Sequence, residues 1–163
     1  MRIRSWIIWY GSIYTENIRG DMKQKLFLDT NVVLDTMVHG RESSAFSSLI
    51  LGFDSIFDLC ISVQSFPDIV YITRNEFDTA TNRRKFKIFL EHCSILTLND
   101  SNLSEAVSSV CPDFEDALQI SCAAESNCDA IITSNKKHFD AYTDIPVYTP
   151  KEFLDKLQAA QEC

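Results

Sequence analysis

Glycine and proline are scarce, four of each in 163 residues, which excludes collagen-like repeats, low-complexity tracts and a long disordered linker. No apolar run approaches the roughly 18 residues that span a bilayer, so no transmembrane helix is predicted and no membrane partner. No two of the six cysteines stand in C-x-x-C spacing, which leaves neither a zinc motif nor a disulfide framework. Several lie in apolar or helical contexts, as Cys60 does in Leu59-Cys60-Ile61 and Cys122 in Ser121-Cys122-Ala123. They read as free, mostly buried thiols of a protein in a reducing cytoplasm. His39, His92 and His138 are far apart in the chain and form no ligand motif. Positive charge is short as well: 15 Lys and Arg stand against 23 Asp and Glu, a net charge of −8. Such a chain binds nucleic acid poorly by itself, because phosphate contacts need cations. A divalent ion held by carboxylates would supply the missing charge; otherwise the excess acid serves solubility.

What is present fits one domain with a single sizeable core. Residues 1–21, MRIRSWIIWYGSIYTENIRGD, place Arg2 and Arg4 before a short apolar stretch. Gly11 and Ser12 break that stretch and no small-x-small cleavage site follows, so it is not read as a signal peptide. Met22 stands directly before the strand-like KQKLFLD. The expectation is that Met22 is the true start, residues 1–21 an upstream extension, and 22–163 the domain.

Short apolar runs predict strands at 25–29, 59–62, 94–98, 129–133 and 146–148. Apolar residues spaced by three and four predict helices at 42–57, 65–75 and 78–92. In the second, Phe66, Ile69 and Ile72 share a face; in the third, Phe86, Phe89 and Leu90 point inward. Residues 31–38 read as a short helix or turn and 101–110 as a helix. Residues 113–127 form the best-marked helix, with Asp113 as N-cap and Ala117, Ala123 and Ala124 inside. A last helix opens at Thr149-Pro150-Lys151-Glu152, whose Thr, Pro and Glu suit N-cap, N1 and N3. Strands and helices alternate with short connections, which predicts an α/β sandwich with a mostly parallel sheet and helices on both faces.

Ligands of open α/β sheets bind beyond the carboxyl ends of the strands. KLFLD-T-N puts Asp29, Thr30 and Asn31 there, and AIIT-S-N puts Thr133, Ser134 and Asn135 there. Neighbouring strands would turn Asp29 and Asn135 into one crevice. Asp116, with Glu115 beside it, opens the helix leading to the second of these strands, and Asp68 opens the helix after strand two. Oxygen donors gathered without His or Cys suit a hard cation, Mg²⁺ or Mn²⁺, which would polarise a phosphoryl oxygen and acidify a bound water. Structural roles compete for each residue. Asp29 could cap a helix, Asp68 and Glu115 could complement a helix dipole, and Asp116 could pair with the Asp113 cap. Asn135 could close a turn and Asp35 could be structural. Arg83, Arg84 and Lys85, a basic cluster, could be a solvated helix face.

The segments LFLDTNVVLD, SVQSFPDIVYI and DFEDALQISCAAESNCDAIITSNKKHF, with IPVYTPKEFL, resemble the PIN-domain family, which includes VapC-type toxins of bacterial toxin–antitoxin pairs. The resemblance implies a Rossmann-like α/β/α sandwich and a Mg²⁺- or Mn²⁺-dependent endoribonuclease that leaves a 5′-phosphate and a 3′-hydroxyl. It implies catalytic positions at Asp29, Asp68 (where Glu is more usual), Asp116 and Asn135 (where many relatives carry Asp). It implies metal ligands at Asp29 and Asp116, and supporting positions at Thr30, Asn31, Glu115 and Thr133. Arg83, Arg84 and Lys85 become candidates for RNA or for a partner's acidic tail. The expected partners are an RNA substrate, a small antitoxin and a second copy of the chain. An inert PIN-like module that binds RNA or protein is the alternative. A haloacid-dehalogenase-like phosphatase fits less well, since Asn31 stands where it needs Asp and Glu115-Asp116 precede Thr133. A receiver-like regulatory domain fits poorly for want of an acidic pair at the first strand.

Overall fold

The computed structural model describes residues 23–38 and 40–160. The expected start at Met22, the extension 1–21, His39 and Cys163 lie outside them. The elements in chain order are β1 (Lys25–Leu28), α1 (Thr30–Met37), α2 (Ser44–Leu51), β2 (Asp58–Ser62), α3 (Ser65–Ile72) and α4 (Thr79–His92). There follow β3 (Ser94–Leu96), α5 (Asp100–Ser108), α6 (Phe114–Glu125), β4 (Ala130–Ile132), a 3-10 turn (Lys136–His138), β5 (Val147–Tyr148) and α7 (Pro150–Ala159). The sheet has the order β3-β2-β1-β4-β5, and every neighbouring pair is parallel.

Strand side chains alternate between faces, so each strand feeds two cores. Leu26, Leu28, Leu59, Ile61, Ala130 and Ile132 pack on one side with Val33, Leu34, Ile50, Phe89, Phe153 and Leu157. Phe27, Cys60 and Ile131 pack on the other with Cys122 and Ala123 of α6 and with Phe139 and Val147. Helices therefore cover both faces, the three-layer α/β/α arrangement expected. Phe57 makes edge-on ring contacts with Phe53 and with Phe153, locking the residues after α2 onto α7.

The topology decides where a ligand can bind. From β1 the chain steps outward through β2 to β3, then returns to the other side of β1 for β4 and β5. The strand order thus reverses between β1 and β4, and a crevice opens beyond their carboxyl ends. Asp29 follows β1 directly and Thr133 follows β4 directly. The Asp29 N–H donates to the Ile132 carbonyl at 3.0 Å, so the two strand ends stay in register to the last residue.

Several element ends differ from expectation. The helix expected over 42–57 ends at Leu51, with Gly52 as its C-cap. Phe53, Ile56 and Phe57 continue the buried pattern through turns, so burial outlasts the helix. The helix expected over 65–75 stops at Ile72, which is exposed, while Ile69 is the fully buried residue. Leu90 faces solvent rather than the core; Phe89 takes the inward position on α4. Ala124 is exposed although Ala117 and Ala123 are buried, because α6 packs by one stripe only. The five described cysteines are free, with Cys60, Cys122 and Cys128 buried, as expected. Among the described residues no helix is long and apolar enough to cross a membrane.

Candidate metal centre

Asp29 occupies the N-cap position of α1, but its side chain makes no capping bond. It turns instead to β4, where Thr133 Oγ1 donates to its Oδ2 at 2.7 Å. The Asn135 N–H donates to the same Thr133 Oγ1 at 2.9 Å. With one lone pair taken by that N–H, the hydroxyl proton is directed at Asp29. Asn31 Nδ2 gives a longer contact to Asp29 Oδ2, 3.4 Å. Asp29 is only 1% exposed, and its Oδ1 is buried without a hydrogen-bond partner.

The neighbouring acids come from two other helix starts. Asp68 lies in the first turn of α3; its Oδ1 accepts from Gln64 Nε2 at 2.9 Å, while its Oδ2 is buried without a partner. The start of α3 is fastened to the start of α1 by a 2.9 Å hydrogen bond between the Thr30 and Ser65 hydroxyls. Glu115 and Asp116 lie in the first turn of α6. Asp113 caps that helix as expected, its Oδ1 accepting from the N–H groups of Glu115 at 2.9 Å and Asp116 at 3.2 Å. The positive ends of three helices therefore point at the acids and offset part of their mutual repulsion.

The repulsion that remains is visible in the proton affinities. Glu115 is pushed up to about 7 by burial and by the charges of Asp68 and Asp29. Asp116 is pushed up to about 6 by burial and by Asp113 and Asp29, with His138 opposing. Burial raises Asp29 too, against the dipoles of Thr133, Asn31 and Gln119. Asp29 thus acts on both Glu115 and Asp116, and Asp68 acts on Glu115, beside the carboxyl ends of β1 and β4. Two buried carboxylate oxygens without partners are costly features in a folded protein. A hard divalent cation, which seeks carboxylate oxygens and keeps several waters, is the group this donor set fits.

The remaining expected residues fall into two groups. Asn135 joins the network through its backbone N–H. Asp35 is buried and structural: it pairs with Arg41 and accepts from Ser134 Oγ at 2.6 Å. The basic cluster is not brought to the acids by any described contact. Lys85 Nζ donates to the Met37 carbonyl at the far end of α1 and lies over the Phe77 ring. Arg83 and Arg84 are exposed on α4.

Two residues escaped the sequence reading. Gln119, 2% exposed, accepts from the Thr30 N–H with Oε1 at 3.3 Å and donates from Nε2 to Glu115 Oε1 at 3.4 Å. Its only sequence mark is its place one helical turn after Glu115. His138 is the other: the fold sets it beside two acids that are distant from it in the chain. Its Nδ1 lies 3.2 Å from Asp116 Oδ2, and one donor atom each from Asp113, Asp116 and His138 lies within 4.8 Å of the others. The sheet brings β4 beside β1, and the turn after β4 then meets the start of α6.

A PIN-domain family model matches residues 25–137. That stretch is more than half of the chain and holds all four acids of the crevice. The chain belongs to the PIN-domain family. Among solved structures, VapBC2 from Rickettsia felis, bound to a promoter DNA fragment, is similar at 17% identity with a TM-score of 0.61. The match covers 77% of this chain and 98% of that one. DNA-bound VapBC from Salmonella typhimurium is similar at 16% identity and TM-score 0.60, covering 78% and 98%. The sarcin-ricin-loop-cleaving toxin VapC20 from Mycobacterium tuberculosis matches at 8% identity and TM-score 0.59, covering 74% and 98%. At such identities these likenesses speak for the PIN fold alone. No curated protein sequence matches the chain.

Proposed function

We propose that this PIN-domain chain is a Mg²⁺- or Mn²⁺-dependent endoribonuclease and the toxin of a toxin–antitoxin pair. The observation that carries the reading is the pair of buried, unpartnered carboxylate oxygens, Asp29 Oδ1 and Asp68 Oδ2, at the strand-order reversal. In support, the chain belongs to the PIN-domain family, one similar structure is a sarcin-ricin-loop-cleaving toxin and others are VapBC complexes.

In this reading Asp29 and Asp116 would hold the ion, and Asp68 and Glu115 would border it. The ion, when bound, polarises a phosphoryl oxygen and lowers the pKa of a water. Thr133 fixes the Asp29 carboxylate through its hydroxyl, and Gln119 fixes Glu115 against the start of α1. Asn135 sets the Thr133 hydroxyl through its backbone N–H, a role that the amide side chain does not alter. The reaction adds water to phosphorus and breaks the P–O3′ bond, leaving a 5′-phosphate and a 3′-hydroxyl. Because the chain carries a net charge of −8, RNA approach depends on the ion and on local cations. Exposed Lys137, on the turn that carries His138, is one such cation. Arg83 and Arg84 are open to RNA or to an acidic segment of a partner. Exposed Leu103, Val107, Val110 and Phe114 offer apolar surface for an antitoxin or a second copy.

The test is cleavage of a mixed RNA pool by the 163-residue protein, in Mg²⁺, in Mn²⁺ and in EDTA. Cleavage is expected only with metal, and Asp116→Asn should reduce it by about a hundredfold or more. Equal cleavage by Asp116→Asn, or cleavage in EDTA, overturns the reading. Absence of both cleavage and Mn²⁺ binding in the unaltered chain would favour the inert module.

A further inference from the structure

Asp35 is 2% exposed, and a carboxylate that deep in a protein needs partners. Three separate segments supply them. Arg41 pairs with Oδ1, brought back to α1 by a turn at Gly40, whose φ of 85° suits glycine. Ser47 Oγ of α2 donates to Oδ2 at 3.5 Å, and Ser134 Oγ donates to the same oxygen at 2.6 Å. The short bond is the one that leads to the crevice, because Ser134 stands between Thr133 and Asn135. Those two residues close a turn of their own, with the Asn135 N–H on Thr133 Oγ1 at 2.9 Å. That turn spans Ser134, so its closure depends on the Ser134 backbone angles, which the bond to Asp35 restrains. The closed turn directs the Thr133 hydroxyl at Asp29 Oδ2, 2.7 Å away. Asp29 caps α1 and Asp35 lies within it, about 9 Å further along the axis. The end of β4 is therefore tied to one rigid helix at two points. One tie would let it pivot; two hold its direction. A buried ion pair is a weak source of stability, since desolvation cancels most of its attraction, so the pair of Asp35 with Arg41 fits a positional role better.

We infer that Asp35 is a positioning residue for the Asp29 carboxylate, acting through Ser134 and the Thr133 hydroxyl. Arg41 balances the charge that this brace places in the interior. Ser47 meets the same Asp35 oxygen from α2, which carries none of the crevice residues, so it holds Asp35 without leading to Asp29. The inference rests on the proposed function for the ion at Asp29; the tie from Asp35 to the Asn135 N–H stands without it.

The test compares Ser134→Ala, Ser134→Thr, Asp35→Asn and Ser47→Ala in the 163-residue protein. In EDTA, hydrogen exchange of the Asn135 N–H is followed by NMR. Ser134→Ala is expected to speed it by about tenfold or more, and Ser134→Thr, which keeps the hydroxyl, to bring it back. Ser47→Ala should leave it unchanged, although it too removes a bond to Asp35. In Mn²⁺, calorimetry should show binding weakened by about tenfold in Ser134→Ala and in Asp35→Asn, and unweakened in Ser134→Thr and Ser47→Ala. Melting temperatures in EDTA separate this from a merely structural role, in which Mn²⁺ affinity would follow stability in every variant, Ser47→Ala included. An Asn135 exchange rate that Ser134→Ala leaves unmoved overturns the inference. So does an unmoved Mn²⁺ affinity in a chain that binds the ion, or an equal effect of Ser47→Ala. The two readings fail separately. A chain that neither cleaves RNA nor binds Mn²⁺ overturns the nuclease reading, and the Asn135 exchange then decides the brace by itself.

Discussion

Thr133 concentrates more of the crevice in one side chain than any acid does. It is fully buried, accepts from Asn135 and donates to Asp29. Thr133→Val keeps the shape and removes the hydroxyl, leaving a buried carboxylate oxygen and an N–H short of a partner. A group that orients a metal-binding carboxylate in this way is worth about 10–100-fold in metal affinity or activity. Thr133→Val should therefore lower both Mn²⁺ affinity and RNA cleavage by that factor, and Thr133→Ser should restore most of it. Unchanged Mn²⁺ affinity in Thr133→Val would remove Thr133 from the site. Residues such as Thr133 were legible in the sequence because a polar residue that ends a buried strand has one place to go. Asp29, Asp68, Glu115 and Asp116 were legible for the same reason, each at a strand end or helix start. Gln119 and His138 were not. Their partners, Thr30 and Asp116, lie 89 and 22 residues away in the chain, and only the sheet order brings them together. The contact of the Lys85 ammonium with the Met37 carbonyl, 48 residues away, was hidden from the sequence for the same reason.

Helix starts carry the structural argument at the next scale, because the acids ride on them. The best-formed start is that of α7. The Thr149 side chain accepts from the Glu152 N–H at 3.2 Å, and Glu152 Oε2 accepts from the Thr149 N–H at 2.9 Å. Pro150 at the first helical position suits the cap. Thr149→Ala should cost about 1 kcal/mol in urea unfolding. Because α7 lies on the face of the sheet away from α6, metal binding should be untouched. A loss of Mn²⁺ affinity in Thr149→Ala would show that α7 couples to the crevice. Starts were read correctly at α6 and α7 because Asp, Thr and Pro announce them by their own chemistry. Ends were read less well. At α2 the apolar spacing runs on through Phe53 and Phe57, which are buried by tertiary packing after Gly52 has stopped the helix. At α3 and α4 the pattern assigned Ile72 and Leu90 to the core, yet each lies beyond the stripe that its neighbours bury. Periodicity reports which residues are apolar; the sheet decides which of them it covers.

Over the whole molecule the acid excess and the fold meet in one property, the dependence of stability on pH. Glu115 and Asp116 have folded-state pKa values near 7 and 6, and Asp29 is also raised. An acid that binds its proton more tightly when folded favours the native state at low pH. Its contribution is lost as pH rises from the unfolded value through the folded one, here between about 4 and 7. Asp78 and Glu152 act in the opposite sense, since their caps lower them; their contribution disappears only as pH falls below the ordinary carboxylate range. Across the upper window the raised group dominates. Without divalent metal, the melting temperature should fall between about pH 4 and pH 7, and level off above. A cation does what the proton does and does it better as the acids ionise, so Mg²⁺ or Mn²⁺ should stabilise increasingly across the same window. Glu115→Gln removes one of the raised acids and should flatten the metal-free slope. Partial exposure of Glu115 limits its share to the order of 1 kcal/mol once solvent screening is counted. Thermal unfolding in EDTA and in Mn²⁺ at four pH values decides the matter. A metal-free melting temperature that climbs through this window would mean that the four carboxylates do not repel one another as their common crevice requires. The same result would remove the physical reason for a cation between them.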